Sequence, residues 1–522
     1  MIFCLPRPRV PPQKTPVVIG SDRGENEMKS MRFSHLLFTI SAISFSVAVC
    51  AQAQTFTTIA NFSSTGASPG PVVQGFNGDF YGTTQGGGKR GYGAIFEITP
   101  KGKLGGLYSF CSEPKCADGE YPLGLVQATD GDLYGTTQGT SSGPYGTVFK
   151  VTSAGELTTL HTFCSQTNCA DGQNPWGGLI QASSGNFYGT TFFGGANRAA
   201  GICYDLGCGT LFEIAPSGKL TILYNFCSLP NCLDGANPVS SLVQGSNGNF
   251  YGVASGGGAA DAGTVFEITS AGKLTTLYSF CARISCSDGQ QPNGLVQASN
   301  GNFYGTTVLG GETGYNNGTF FEITSVGRFS TLYSFCAEGV CSDGANPNPG
   351  VVQGSSGRFY GTTYCGGLSN SCNDFSYGPG TVFEISPTGK LTTLHSFCSQ
   401  TNCDDGQGPI AGLVQSTNGK FYGTATFGGA DDDGTFFSLG VSLEPFVETL
   451  PTTGKVGAKV IILGNNLSVT KGVSFNGTAA TFTVVSNTEI TATVPTGATT
   501  GTVAVTTPTG MLNSNSAFQV LK

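Results

Sequence analysis

The tripeptide Phe/Leu-Tyr-Gly occurs seven times, centred on Tyr81, Tyr134, Tyr188, Tyr251, Tyr304, Tyr360 and Tyr422, at spacings of 53, 54, 63, 53, 56 and 62 residues. A repeat of this length, built from short β-type runs, restricts the chain to a propeller or a stacked array, because each unit must bury its faces on its neighbours. The fifth repeat shows the pattern in four runs: Gly294 to Ala298, Phe303 to Thr307, Thr319 to Thr324 and Phe329 to Phe335. Asn300-Gly301 and Ser325-Val326-Gly327 are turn signals that tolerate positive φ. Four antiparallel strands per repeat make one propeller blade.

The two ends supply the topology. A fourth-strand pattern, Phe56 to Phe62, precedes the first complete repeat, and the seventh repeat stops after its third strand, Thr435 to Leu439. The orphan strand at one end fits the gap at the other. The expected fold is therefore all-β: a seven-bladed β-propeller over residues 55–440, with four-stranded blades and the ring closed by the N-terminal strand. A linear solenoid has no use for such an exchange. Antiparallel order also sorts the loops. The first-to-second and third-to-fourth turns are short and uniform and share one face. The second-to-third loops and the connections between repeats share the other, where all the length variation lies, as in 193–209 and 364–380. Variable loops on a rigid scaffold are the expected binding face.

Residues 1–30 are Pro-rich, basic and without apolar periodicity, and are expected to be a disordered upstream extension, with Met28 or Met31 as the true start. Residues 31–53 read as a signal peptide: Arg32, an apolar run from Leu36 to Val49, and Ala51-Gln52-Ala53 as the cleavage site. The run is too short for a membrane span. Lipidation at Cys50 is the alternative, and Val49 before it fits that motif poorly. Without residues 1–53 the chain has 18 basic and 29 acidic residues, a net of −11, which argues against nucleic acid. The expected location is secreted or cell-surface, and the expected state monomeric.

Beyond Leu439 the composition shifts to Thr, Val and Gly with no cysteine. Runs at 460–463, 473–475, 480–485, 489–494, 503–507 and 518–521, joined by turn signals such as Asn476-Gly477, suggest an immunoglobulin-like sandwich over 441–522. The segments VGAKVIILGNNL and GVSFNGTAATFTVVSNTEITATVPTGATTGTVAVTTPTG resemble the IPT/TIG domain family along its whole length. The repeats in turn, through G-L-V-Q-x-x-x-G-x-F-Y-G-T-T and G-T-V-F-E-I-T-x-x-G-x-L-x-x-L-Y-S-F, resemble the tandem repeats named GloVer. That resemblance implies a secreted or surface bacterial protein and assigns no chemistry. The first repeat departs from it, with SSTGASPG in place of a cysteine-containing connection.

Sixteen of the 18 cysteines follow the signal segment. Six connections carry C-x4-C: Cys111/Cys116, Cys164/Cys169, Cys227/Cys232, Cys281/Cys286, Cys336/Cys341 and Cys398/Cys403. Cys203/Cys208 and Cys365/Cys372 lie in the two longest second-to-third loops. Local disulfides are the simplest reading; zinc sites or redox thiols are the rivals, and zinc would need ligands converging from several loops. Asp118, Asp171, Asp234, Asp288, Asp343 and Asp405 each follow a cysteine pair and precede a glycine. An Asx-type turn is the plain reading and a carboxylate ring at the channel the sharper one. Asp431-Asp432-Asp433 reads as a solvated loop tip rather than a calcium site.

No nucleophile elbow, zinc-protease motif or P-loop is present in the sequence. His161 and His395 replace the Tyr of LYSF inside strands, and Glu97, Glu213, Glu267, Glu322 and Glu384 recur in one strand slot, which marks structural roles. Trp176, with Tyr92, Tyr145, Tyr204, Tyr315 and Tyr377 in nearby variable loops, forms the candidate ligand face, since Trp and Tyr bring contact area with a polar tip. The expected function is a secreted, non-enzymatic binding or adhesion protein for a carbohydrate or protein ligand, with no cofactor or metal. The alternative is a carbohydrate-active hydrolase or lyase using carboxylates at the channel.

Overall fold

The computed structural model describes residues 54–521, except 64–65, 141–144, 200, 313–316 and 369–377. The expectations for residues 1–53, Cys50 included, lie outside the described residues. So do Tyr315, Tyr377 and Cys372. The described chain from Gln54 onward forms one compact unit. No helix among the described residues is long and apolar enough to cross a membrane.

The seven repeats give seven antiparallel sheets among the described residues, each running through its repeat in sequence order, with the N-terminal strand added at the edge of the seventh. Five have four strands, and in the third and fourth repeats the first strand is split into two segments; the set is consistent with a propeller. In the fifth repeat the strands are Gln290–Gln297, Phe303–Leu309, Thr319–Ile323 and Phe329–Ser334. The first begins four residues earlier than its apolar pattern suggests, because pairing continues through a bulge between Pro292 and Gly294. The second strand is buried at Phe303, Tyr304, Gly305, Thr306 and Thr307 alike, since neighbouring sheets cover both faces. The fourth is only half-buried, as expected at the outer edge.

The Phe-Tyr-Gly motif follows from this double burial. Gly305 sits opposite Phe321 of the third strand, and a Cβ there would lie 2.6 Å from the Phe321 ring. Phe and Tyr, pointing to opposite faces, then stack from sheet to sheet. Tyr134 meets Phe187 at 4.1 Å, Tyr188 meets Phe250 at 4.1 Å and Tyr251 meets Phe303 at 4.1 Å. Tyr304 meets Phe359 at 4.3 Å and Tyr360 meets Phe421 at 4.1 Å. Tyr422 of the last repeat meets Phe80 of the first at 4.3 Å.

Two further sets of contacts link consecutive sheets. On the short-turn face, the glutamine ending each G-L-V-Q-type strand accepts a backbone N–H from the preceding repeat. Phe76 donates to Gln127 at 2.8 Å, Thr129 to Gln181 at 2.9 Å and Ser183 to Gln244 at 3.1 Å. Ser246 donates to Gln297 at 3.0 Å, Ser299 to Gln353 at 2.9 Å and Ser355 to Gln415 at 2.9 Å. Thr417 donates to Gln74 at 3.0 Å, which joins the seventh repeat to the first. On the opposite face, the glycine before each third strand receives the proline of the next repeat. At Gly434, φ is +104° and the Pro69 Cδ lies 2.6 Å from where a Cβ would stand.

The N-terminal strand Thr55–Asn61 pairs antiparallel with Thr435–Gly440, from Thr55 opposite Gly440 to Asn61 opposite Thr435. It takes the outer position that the seventh repeat leaves vacant. After residue 440 the chain forms two four-stranded sheets, joined by the parallel pair Thr453–Lys455 and Gln519–Leu521. They enclose a core of Val460, Ile462, Val473, Phe475, Ile490, Val503, Val505 and Phe518. This sandwich sits on the short-turn face: Phe446 donates its N–H to Thr417 O at 3.0 Å, Asn465 Nδ2 to Thr417 Oγ1 at 2.7 Å, and Thr488 Oγ1 to Phe76 O at 2.6 Å.

Gly434→Ala should cost about 3 kcal/mol through left-handed strain plus the lost seat for Pro69. Gly248→Ala, at a turn where φ is +84° and nothing lies within 4 Å of the added Cβ, should cost about 1 kcal/mol. Thermal melts of the two variants check this, and equal losses would count against the proline seat.

Candidate functional site

The variable face is built on the connections between repeats. In six of them the cysteine pair is followed by an aspartate that is buried to 1% exposure or less. Asp118 accepts the Tyr108 hydroxyl at 2.9 Å, Ser112 N at 2.8 Å and Glu113 N at 3.1 Å. Asp234, Asp288 and Asp343 repeat the arrangement with Tyr224, Tyr278 and Tyr333 at 2.8, 2.7 and 2.7 Å. The following glycine does take positive φ, +98° at Gly119. The N–H donors, however, lie five and six residues before the aspartate. The carboxylate therefore clamps the preceding disulfide loop instead of opening a turn of its own, and burial without hydrogen-bond partners would be costly. These aspartates are spent on their own loops, which leaves the carboxylate-ring reading without free ligands.

His161 and His395 occupy the tyrosine place in this clamp. His161 Nε2 lies 3.1 Å from Asp171 Oδ2, and His395 Nε2 lies 3.0 Å from Asp405 Oδ2. The Ser165 and Ser399 hydroxyls add a bond of 2.7 Å each. Burial alone would raise the pKa of Asp171, but hydrogen bonds from His161, the Ser165 hydroxyl and two backbone N–H groups outweigh it and hold the carboxyl at about 2. Asp405 is held at about 2 by the same balance, with His395 and Ser399 as donors.

The strand glutamates are committed as well. Tyr81 donates to Glu97 at 2.5 Å, Tyr188 to Glu213 at 2.9 Å, Tyr251 to Glu267 at 2.7 Å, Tyr304 to Glu322 at 2.8 Å and Tyr360 to Glu384 at 2.7 Å. Burial first, and then the glutamate contact, push the Tyr251 and Tyr304 phenols up to about 12, so they stay donors at neutral pH.

Among the described residues, seven cysteine pairs are bonded within their loops: Cys111–Cys116, Cys164–Cys169, Cys203–Cys208, Cys227–Cys232, Cys281–Cys286, Cys336–Cys341 and Cys398–Cys403. The sulfurs of Cys203, Cys208 and Cys232 lie within 4.8 Å of one another. All three belong to disulfides, so none offers the thiolate that zinc requires.

The candidate aromatics separate into two groups. Tyr92 is half-buried and packs edge-on against Tyr121 at 5.8 Å, and Tyr145 is half-buried too. Trp176 and Tyr204, at 39% and 75% exposure, remain open to solvent. They end one strip in the third repeat: Trp176 meets Phe192 edge-on at 4.4 Å, Phe192 meets Phe193 at 4.6 Å, and Phe193 meets Tyr204 at 6.5 Å. The strand pattern alone does not set Phe192 and Phe193 apart from the other strand phenylalanines. The signal was available, because only this repeat follows Thr-Thr with Phe-Phe.

Asp171 and Asp405 carry a pH signature. A carboxyl held below its ordinary value of 3.8 contributes stability that is complete above that value and lost as pH falls through the folded value near 2. Thermal melts should therefore fall between about pH 4 and pH 2. Asp171→Asn and Asp405→Asn should lower stability at pH 7 and flatten that acid dependence.

The Gloeobacter/Verrucomicrobia repeat family matches residues 41–206, 105–287 and 281–484. No curated protein matches the chain. Solved structures that align with the chain include the extracellular domain of a hybrid two-component system from B. thetaiotaomicron, at 11% identity and TM-score 0.46, covering 90% of this chain and 59% of that one. Kuenenia stuttgartiensis hydrazine synthase shows 11% identity and TM-score 0.44, covering 72% and 97%. The PQQ-bound aldose sugar dehydrogenase of Streptomyces coelicolor shows 12% identity and TM-score 0.37, covering 64% and 98%. This chain thus spans 59% of the length of the first of these structures. With the family matched along most of its length, the chain belongs to the Gloeobacter/Verrucomicrobia repeat family.

Proposed function

We propose that this chain is a secreted or cell-surface binding protein without catalytic activity, whose variable face presents the Trp176–Tyr204 strip to a carbohydrate. In this reading the seven sheets are the blades of a closed propeller, Thr55–Asn61 is the closing strand, and residues 441–522 are an IPT/TIG immunoglobulin-like spacer. Residues 31–53 act as the signal peptide, and the disulfides fit an oxidising compartment.

The observation that carries the binding reading is the strip itself. Four aromatic side chains line up in one repeat, with the half-buried pair Phe192 and Phe193 lying between the exposed pair. Rigid amphipathic rings supply contact area at low entropy cost and suit the faces of sugar rings. The recurring Asp and Glu residues support a non-catalytic role, because equivalent positions in successive repeats make equivalent structural bonds.

The test is a glycan and polysaccharide array probed with the chain, read for both binding and turnover. Saturable binding is expected, with Trp176→Ala and Tyr204→Ala each weakening it about tenfold or more at unchanged melting temperature. Release of reducing ends or unsaturated sugars would replace this reading with the hydrolase or lyase alternative.

A further inference from the structure

Two disulfides meet at the end of the third repeat. The long loop between its second and third strands runs over the connection that follows. Asn197 Nδ2 donates to the carbonyls of Asn225 and Phe226, at 3.0 Å each, and Asn237 donates its N–H to the Cys208 carbonyl at 2.9 Å. These contacts lay Cys203–Cys208 against Cys227–Cys232. In the other five C-x4-C connections the second cysteine (Cys116, Cys169, Cys286, Cys341 or Cys403) is half-buried. Cys232 is fully buried, in one apolar cluster with Cys203 and Cys208. The sulfurs of these three lie within 4.8 Å of one another, and no other three cysteines among the described residues come so close. Cys227 is half-buried, and it is the one of the four that solvent reaches.

The Cys203–Cys208 bond also closes the loop that carries Tyr204. Tyr204 and Asp205 both stand at positive φ, +51° and +58°. Residues other than glycine hold that conformation where their surroundings impose it. The Tyr204 ring has only a distant aromatic neighbour, Phe193 at 6.5 Å. Covalent closure of the loop therefore helps to set where that ring stands.

We propose that the two bonds form an exchange pair, through which an external dithiol attacking at Cys227 opens the Tyr204 loop. A thiolate of the dithiol bonds to the Cys227 sulfur, and the Cys232 sulfur leaves as a thiolate. That thiolate attacks one sulfur of Cys203–Cys208, and the other leaves and takes a proton from water. The second thiol of the dithiol then displaces Cys227, which leaves as a thiol. The dithiol ends as its own disulfide, and the protein has exchanged two disulfides for two thiols and one bond from Cys232 to Cys203 or Cys208. Adjacency makes the middle step intramolecular, which favours it over attack by a second dithiol. Any effect on carbohydrate binding rests on the reading of the aromatic strip given above; the exchange itself does not.

The test is thiol mapping by mass spectrometry on the full chain, which needs no sugar and so fails or succeeds apart from that reading. The chain is treated with dithiothreitol until Cys227 reacts with iodoacetamide. Label is then expected on Cys203 or Cys208, with a crossed peptide joining Cys232 to the other. Label on Cys232 with no crossed peptide would overturn the proposal. Cys227→Ser reads the same step without reductant: its thiol should be found at Cys203 or Cys208 as well as at Cys232. The thiol of Cys281→Ser should stay on Cys286, which has no third sulfur beside it among the described residues. A thiol confined to Cys232 in the first variant, or scrambling in both, would also overturn it. Should Cys227→Ser fail to fold, the map of the unaltered chain decides.

Discussion

A sheet buried on both faces is unstable alone, and that constraint governs this molecule. The second strand of each repeat is buried along its first five residues, with no solvent face to offer there. Each sheet therefore depends on two neighbours, and the dependence passes along the series until the seventh meets the first through Tyr422 and Phe80, Thr417 and Gln74, and Gly434 and Pro69. The tyrosine–phenylalanine stacks supply contact area. The glutamine clasps and proline seats fix how far each sheet is offset from the next, which an apolar contact cannot do because it has no preferred direction.

The seven Tyr-Gly signals, the turn dipeptides and the orphan strand at Phe56 made the strand order readable before any coordinates, because local patterning dictates it. For the seven cysteine pairs that the described residues hold, the simplest reading of the spacing, bonding within each loop, is the one the structure has. What escaped was contact between repeats. Gln127 looks like one more residue of a strand motif, and only three-dimensional placement shows its carbonyl reaching Phe76 of the previous repeat. His161 and His395 were recognised as tyrosine replacements, yet their bonds to Asp171 and Asp405 join residues ten positions apart through a loop whose path the sequence does not encode visibly. Among the candidate aromatics, spacing could not separate Tyr204, which is exposed, from Tyr92, which leans on Tyr121.

The two faces divide the work. The short-turn face holds the glutamine clasps and carries the C-terminal sandwich, which touches Thr417 of the last repeat and Phe76 of the first. The contact straddles the place where the first and last repeats meet. The opposite face carries the disulfide loops, whose aspartate clamps lock their bases while their tips vary freely in sequence.

Thr55 pairs with Gly440, 385 positions further along the chain. As the ribosome delivers the polypeptide from its N-terminus, this first strand must wait, unpaired, for nearly the whole of the repeats to appear. Contacts between such distant segments form late, because loop closure must precede any gain from pairing. The first strand of the repeats thus meets its partner only after the seventh repeat has been made, and a chain interrupted before that repeat leaves the strand open to pairing with other molecules.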